Sequence, residues 1–167
     1  VCMGKMRVLI VDDSKISRMM IAENLRDTDF EVCGMAADTV EALSLYEELH
    51  PDLVTMDMNL PDANGLECSR RILTVDADAK ILMISAMKDA SLMTQGREAG
   101  IHAFLQKPVK PNEIVDMLII LCQKKGSAVT MLRDSYVATF AQGLQRSLFS
   151  LLGMESEIEI SVDESLY

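Results

Sequence analysis

The stretch VTMDMNLPDANG, residues 54–65, ends an apolar run on Asp57 and then enters a loop. An earlier stretch, RVLIVDDS at residues 7–14, ends in the same way on Asp12 and Asp13. If both runs are parallel strands of one sheet, their three carboxylates meet at one edge. Carboxylates a few ångströms apart repel one another and raise their own pKa values unless a cation is present. A hard divalent ion with oxygen ligands removes this conflict, so the two stretches together predict a Mg²⁺ site.

Short β-type runs alternate with amphipathic helical stretches over about the first 125 residues. The predicted strands are residues 6–11, 30–36, 52–56, 80–85 and 103–106. The predicted helices cover about residues 14–27, 39–49, 65–74, 89–99 and 111–125. Parallel strands that are buried on both faces should be almost continuously apolar, as VLIV, LVTM and ILMI are. Five such βα units predict a doubly wound α/β domain.

Helix starts and stops are marked by individual residues. Ser14 is a predicted N-cap of the first helix, and Asp38 followed by Glu41 resembles a capping box at the start of the second. Gly100 is well placed to stop the fourth helix, and Pro111 suits the first turn of the fifth.

Composition excludes several classes of protein. The chain has 167 residues, 49% of them hydrophobic, enough for one ordinary core and a small extension. Its formal net charge of −10 gives it no general attraction to nucleic acid or to an anionic membrane. Four cysteines without a C-x-x-C pair fit reduced thiols in a cytosol. Because there is neither an apolar run of ~20 residues nor a signal-peptide cleavage region, we expect a cytoplasmic protein.

The chemically informative residues all fall at predicted strand ends. Ligands of open α/β sheets bind beyond the carboxyl ends of the strands, where Asp12, Asp13, Asp57 and Ser85 lie. Lys107 follows the fifth strand and brings an ammonium to the same edge. Singly, each residue would most often be a turn, cap or surface residue. Acids, hydroxyl and lysine in this order instead favour a phosphoryl site.

These residues resemble the receiver domains of two-component response regulators, the family of the chemotaxis protein CheY, over about residues 5–125. The resemblance implies a flavodoxin-like fold with strand order 2-1-3-4-5. It also implies that Asp57 accepts a phosphoryl group from a phosphohistidine of a sensor histidine kinase in a Mg²⁺-dependent reaction. The protein would then be a signalling switch that catalyses only its own phosphorylation and dephosphorylation, not an enzyme.

The same resemblance assigns the metal ligands. Asp13, Asp57 and the backbone carbonyl of Asn59 would bind Mg²⁺, and Asp12 would assist through water. Such a site has few protein ligands and keeps several waters.

The remaining site residues would read the phosphoryl group. By resemblance, the Ser85 hydroxyl and Lys107 would each contact a phosphoryl oxygen, and the Lys107–Pro108 bond would be cis. Phe104 takes the place of the family's switch aromatic, which turns inward once Ser85 moves. A downstream signalling protein would bind the family's output face, which corresponds to about residues 89–99, 103–106 and 112–124.

The pattern changes after residue 125, which predicts a receiver domain at 1–125 and an extension at 126–167. A sixth amphipathic helix is predicted at about 128–152, and residues 158–162 alternate like a short strand. The apolar stripe of this helix is too costly to leave in water, so we expect a homodimer contact through residues 127–167. Two arginines against six acidic residues argue against a DNA reader.

Three alternatives stay open at this point. Residues 134–155 and the strand after them resemble the opening of the CheX and CheC family of phosphatases, so the chain could be the front of a receiver–phosphatase fusion in chemotaxis-type signalling. The acidic edge could serve a metal-dependent hydrolase, although no His cluster or further acid motif supports one. A purely structural dimerisation module would need neither Asp57 nor Lys107.

Overall fold

The structure, a computed structural model, describes residues 4–86, 90–101 and 103–123. Strands and helices alternate through these residues. The strands are β1 (Met6–Val11), β2 (Phe30–Ala36), β3 (Leu53–Asp57), β4 (Ile81–Ser85) and β5 (Ala103–Gln106). The helices are α1 (Lys15–Asn24), α2 (Thr39–Leu49), α3 (Gly65–Val75), α4 (Ala90–Glu98) and α5 (Pro111–Gln123). The predicted succession of five βα units is confirmed.

The strands form one parallel sheet in the order β2-β1-β3-β4-β5. This order confirms the doubly wound, flavodoxin-like α/β fold. From β1 the chain moves to β2 on one side and then to β3 on the other, so β1 and β3 flank the point where the strand order reverses. A crevice opens beyond the carboxyl ends of the strands at such a point.

The core lies on both faces of the sheet because successive residues of a strand point to opposite sides. Leu9 and Val11 contribute to one buried cluster together with Val54, Met56 and Met83. Helices α2 and α3 pack against each other, as α1 and α5 do. Val8 and Ile10, the alternate residues of β1, are also fully buried. Burial on both faces explains why the strands read as continuous apolar runs.

The helix caps match the sequence expectations. The Ser14 hydroxyl accepts a hydrogen bond from the Ser17 amide at 3.3 Å, and Asp38 Oδ1 accepts one from the Glu41 amide at 2.8 Å. The Glu41 carboxylate in turn accepts from the Ala37 amide at 2.8 Å. The first cap matters for the site, because it begins α1 directly after the two acids at the end of β1.

The end of the first helix was predicted too late. Helix α1 ends at Asn24, not near Asp27, because the chain turns there: Thr28 N–H donates to the Leu25 carbonyl at 3.3 Å and Asp27 has φ 59°. Gly100 follows α4 with φ 102°, a left-handed conformation that favours glycine, as expected for a stop.

Several predictions fall outside the described residues. These are the sixth helix at 128–152, the strand at 158–162, the homodimer contact through 127–167 and the boundary between residues 125 and 126. Among the residues that the structure does describe, no helix combines the length and apolar character needed to cross a membrane.

Candidate functional site

The strand register brings the acids of β1 and β3 together. Val11 of β1 lies opposite Met56 of β3, so the residues that follow, Asp12 and Asp57, emerge side by side at the carboxyl edge. Carboxylate oxygens of Asp12, Asp13 and Asp57 all lie within 4.8 Å of one another. The predicted three-carboxylate cluster is therefore present in the structure.

Register also brings Lys107 to this cluster from the far strand. Ile84 of β4 pairs with Asp57 on one side and with Leu105 of β5 on the other, so these residues share one face of the sheet. Lys107 lies two positions after Leu105 and extends over the same face. Its Nζ lies 3.1 Å from Asp57 Oδ2 and 3.2 Å from Asp12 Oδ2.

Asp12 is held by a full set of donors. It is only 1% exposed, and its Oδ1 accepts a hydrogen bond from the Ser14 amide at 2.9 Å. Its Oδ2 accepts from the Ser17 hydroxyl at 2.5 Å and from Lys107 Nζ. Because these donors occupy both oxygens of Asp12, the carboxylate is fixed in position beside Asp57.

Asp57 is less well satisfied. It is 4% exposed, and burial raises its pKa, with a further increase from the nearby Asp12 charge. The Lys107 ammonium and the Asn59 backbone amide oppose this rise without cancelling it. Among the described residues, Asp57 Oδ1 is a buried oxygen without a hydrogen-bond partner. One oxygen of Asp57 is thus held by lysine while the other stays available.

The Lys107 pKa reflects the same pairing. Burial lowers the pKa of the ammonium, but its hydrogen bond to Asp57 and the negative charges of Asp57 and Asp12 raise the pKa by more. The net pKa lies above its usual value, so Lys107 stays protonated at neutral pH. It offsets part, but not all, of the negative charge of the three carboxylates.

The donor set fits a divalent cation. Three carboxylates in a small space, one with an unpartnered buried oxygen, provide the hard oxygen ligands that Mg²⁺ takes. Asp13 is exposed and therefore open to an ion that retains water ligands. The described residues thus fit the expected metal.

The loop after Asp57 carries Asn59, the fourth predicted metal ligand. Asn59 is exposed and pairs with Asn64 in an isolated antiparallel bridge, while the Gly65 amide donates to the Met58 carbonyl at 2.7 Å. These contacts close the loop into a compact turn next to the acids. They position the main chain of Asn59, whose role as a ligand stays a prediction.

Ser85 and Phe104 lie on the other face of the sheet. Met83 pairs with Phe104 and Ser85 with Gln106, so Ser85 and Phe104 project from the same face, diagonally across β4 and β5. The Lys107 amide donates to the Ser85 carbonyl at 2.8 Å, which ties the two strand ends together. The Lys107–Pro108 bond is cis, as the resemblance implies.

Sequence reasoning missed two residues of α1 that organise the acids. Ser17 donates to Asp12, and Arg18 Nη1 donates to the backbone carbonyls of Asp12 and, at 3.1 Å, Asp13. Both belong to the first turn of a helix that starts at Lys15. A helix that begins directly after the acids returns its first-turn side chains toward them, and this spacing was the available signal.

A third missed residue is Gly65, the first residue of α3. A Cβ added there would lie 2.0 Å from the carbonyl oxygen of Asp57 and 2.8 Å from its carbonyl carbon. Both neighbours are backbone atoms, so a side chain would force α3 away from β3. Gly65 therefore permits the close approach that holds Asp57 in place.

Comparison with known proteins agrees with this geometry. A family model described as the response regulator receiver domain matches residues 8–119. The chain therefore belongs to the response regulator receiver domain family. Chemotaxis protein CheY of Thermotoga maritima is 40% identical over 116 residues, which cover 70% of this chain and 96% of that protein.

Solved structures give the same answer. The crystal structure of the CheX–CheY–BeF3–Mg complex from Borrelia burgdorferi contains a chain with a TM-score of 0.68 and 28% identity, which covers 71% of this chain and 90% of that one. Chemotaxis protein CheY4 of Vibrio cholerae matches with a TM-score of 0.66 and 28% identity, over 70% of this chain and 98% of that one.

Replacing Asp57 by Asn should raise the free energy of unfolding at neutral pH in EDTA. Because the folded-state pKa of Asp57 is raised, the folded state binds more protons than the unfolded state between the ordinary and the raised pKa. Wild-type stability therefore falls as pH rises through that window, whereas an amide does not titrate. Urea unfolding of both proteins across pH measures the difference. Asp29→Asn, at an exposed acid, is the control, and an Asp57→Asn protein less stable than wild type would contradict the expectation.

Replacing Gly65 by Ala should lower the free energy of unfolding by about 1–3 kcal/mol, the usual cost of forcing extra atoms into a packed site. Gly4→Ala is the matched control, because a Cβ at Gly4 meets nothing within 4 Å. That control should stay within about 0.5 kcal/mol of wild type. Urea denaturation measures both, and equal effects of the two substitutions would refute the close-approach account.

Proposed function

We propose that this chain is a phosphorylation-controlled receiver in which Asp57 accepts a phosphoryl group from a phosphohistidine of a sensor histidine kinase. The observation that carries the proposal is the contact of one lysine with two buried carboxylates, 3.1 Å from Asp57 and 3.2 Å from Asp12. A purely structural ion pair would need only one acid beside the lysine. Burying a second carboxylate there would lower the stability of the fold without adding a second ion pair. Membership of the receiver family supports the same conclusion.

The chemistry follows from the two oxygens of Asp57. A carboxylate oxygen of Asp57 is the nucleophile, which attacks phosphorus as the phosphorus–nitrogen bond of the phosphohistidine breaks and the imidazole leaves. The product is an acyl phosphate on Asp57. Lys107, already at this edge, then pairs with a phosphoryl oxygen in place of the carboxylate. The held position of Asp57 reduces the entropy cost of reaching the reactive geometry.

Asp13, Asp57 and the Asn59 carbonyl would hold Mg²⁺, and Asp12 would contribute through water. The ion would supply positive charge that stabilises the oxygens of the transferring group. A similar solved structure contains BeF3 and Mg with CheX and CheY, which supports this choice of ion.

Phosphorylation changes what Ser85 and Lys107 contact. The phosphoryl group adds about 1–2 negative charges at the end of β3. The Ser85 hydroxyl would bond one phosphoryl oxygen, and Phe104, on the same face, would then occupy the space beside it. Differential contacts of this kind let a local reaction bias two global states. The chain acts as a switch whose product is a changed surface for a downstream protein.

An exposed apolar surface lies next to the site and suits a protein phosphodonor. Helix α1 starts directly after Asp12 and Asp13 and exposes Ile16 (72%), Met19 (59%) and Met20 (61%). Methionine side chains adapt to partner surfaces, and clustered exposed apolar residues mark interaction sites. The kinase would therefore contact α1. The net charge of −10 of the chain and a protein kinase as partner fit a cytoplasmic protein that binds neither nucleic acid nor membrane.

Incubation with acetyl phosphate and Mg²⁺ should add one phosphoryl group, on Asp57, because it combines a buried nucleophilic oxygen with a neighbouring ammonium. Intact-protein mass spectrometry measures the addition. Asp57→Asn should abolish it, while Asp29→Asn, a substitution of the same kind at an exposed acid, should not. Phosphorylation of Asp57→Asn at the wild-type level would refute the assignment.

Mg²⁺ binding should depend on Asp13. We expect Asp13→Ala to weaken Mg²⁺ affinity by at least about tenfold. Removing a residue that only hydrogen-bonds to a metal ligand already costs about tenfold, and Asp13 is a proposed ligand itself. Titration calorimetry measures the affinity, with Asp29→Ala as the control for loss of one acidic charge. Equal affinities for the two variants would contradict the proposed metal site.

A further inference from the structure

Gly96 is an unexpected residue in the interior of a helix. It lies within α4, which spans Ala90–Glu98, and it is buried. Glycine in a helix interior is less favourable than alanine because it loses more backbone freedom on folding. A glycine at such a position therefore calls for a packing reason.

The reason is the ring of Phe104. A Cβ added at Gly96 would lie 2.7 Å from Phe104 Cζ and 2.9 Å from Phe104 Cε1, both closer than real carbon contacts allow. The tip of the ring thus occupies the space that any side chain at position 96 would take. Phe104 is half-buried and packs against the core cluster that includes Met83 and Ile101.

A backbone hydrogen bond also fixes the end of α4 near β5. Ile101 N–H donates to the Gly96 carbonyl at 2.8 Å, so the end of α4 is tied to the segment that leads into β5. Within two further residues the chain reaches β5, which carries Phe104 opposite Met83. The Gly96 backbone and the Phe104 ring therefore belong to segments that are only a few residues apart along the chain.

We propose that Gly96 is a positioning residue for the switch: its bare backbone forms the seat that holds the Phe104 ring in its resting position. This inference rests on the proposed function, because the switching role of Phe104 belongs to that proposal. Ser85 lies on the same face as Phe104, so a shift of Ser85 toward a phosphoryl group opens an alternative position for the ring. The size of the side chain at position 96 then sets the balance between the two ring positions.

The steric part is tested by a double-mutant cycle on the full chain. Gly96→Ala should lower the urea midpoint when Phe104 is present, because the added methyl overlaps the ring. In a Phe104→Leu background, which lacks the ring tip, the same substitution should raise the midpoint through helix propensity alone. Thr94→Ala, at an exposed position of α4, should act with one sign in both backgrounds. If Gly96→Ala changed the urea midpoint by the same sign and amount in both backgrounds, the steric contact between position 96 and the Phe104 ring would be refuted.

The switching part is tested by NMR with ring-¹³C phenylalanine, in which the Phe104 signals are assigned by their loss in Phe104→Leu. In wild type these signals should move when acetyl phosphate and Mg²⁺ are added. In Gly96→Ala they should already be displaced toward the phosphorylated position before phosphorylation, whereas in Thr94→Ala they should not. Gly96→Ala signals that coincide with those of unphosphorylated wild type would overturn the inference.

The outcomes separate the inference from the function on which it rests. Absence of phosphorylation on Asp57 would reject the proposed function and with it the switching part, while the double-mutant cycle would still report on the seat. Suppose that Asp57 is phosphorylated and that the Phe104 signals of wild type move on phosphorylation. If the Phe104 signals of unphosphorylated Gly96→Ala then coincide with those of unphosphorylated wild type, only the role of Gly96 is rejected. Phosphorylation together with displaced Gly96→Ala signals would support both.

Discussion

The burial of Asp57 beside Asp12 is the constraint on which the rest of the site depends. Two carboxylates that are almost fully shielded from water repel each other and lose hydration, and both effects raise the pKa of Asp57. Lys107, which contacts both acids, offsets part of this repulsion. The Ser14 amide and the Ser17 hydroxyl, at the start of α1, donate hydrogen bonds to Asp12. The compensation is incomplete, since one oxygen of Asp57 keeps no partner among the described residues. In the proposed function, this incompletely compensated carboxylate would take up a metal and a phosphoryl group.

Two glycines let helices approach their neighbours closely. Gly65 brings the start of α3 against the carbonyl of Asp57, so Asp57 is fixed by its main chain as well as by its side chain. Gly96 gives the ring of Phe104 room against α4. The first contact is with the backbone of Asp57, whereas the second is with the ring of a side chain. The proposed switch would depend on both contacts, because a shift of one element matters only when its surroundings are closely packed.

The candidate site residues project from two opposite faces of the sheet. Asp12, Asp57 and Lys107 share the face that α1 adjoins, and their charges are coupled within hydrogen-bonding distance. Ser85 and Phe104 project from the opposite face, where α4 packs. The carboxyl edge is the place where both faces can be reached by one group. A phosphoryl group on Asp57 could therefore contact Lys107 on one face and draw Ser85 from the other.

The sequence by itself determined the βα alternation, the strand bounds to within one residue, the N-caps Ser14 and Asp38, and the acids at the strand ends, because apolar periodicity and capping are local properties of the chain. Asp12, Asp13, Asp57 and Lys107 could be predicted as one cluster, since parallel strands deliver their ends to a common edge. Only the tertiary structure decided which oxygen of Asp57 is paired, that Arg18 and Ser17 hold the acid turn, and that two glycines permit close approach. These facts depend on distances between residues that are remote in sequence or on the exact start of a helix, and no pattern of residue types encodes an interatomic distance.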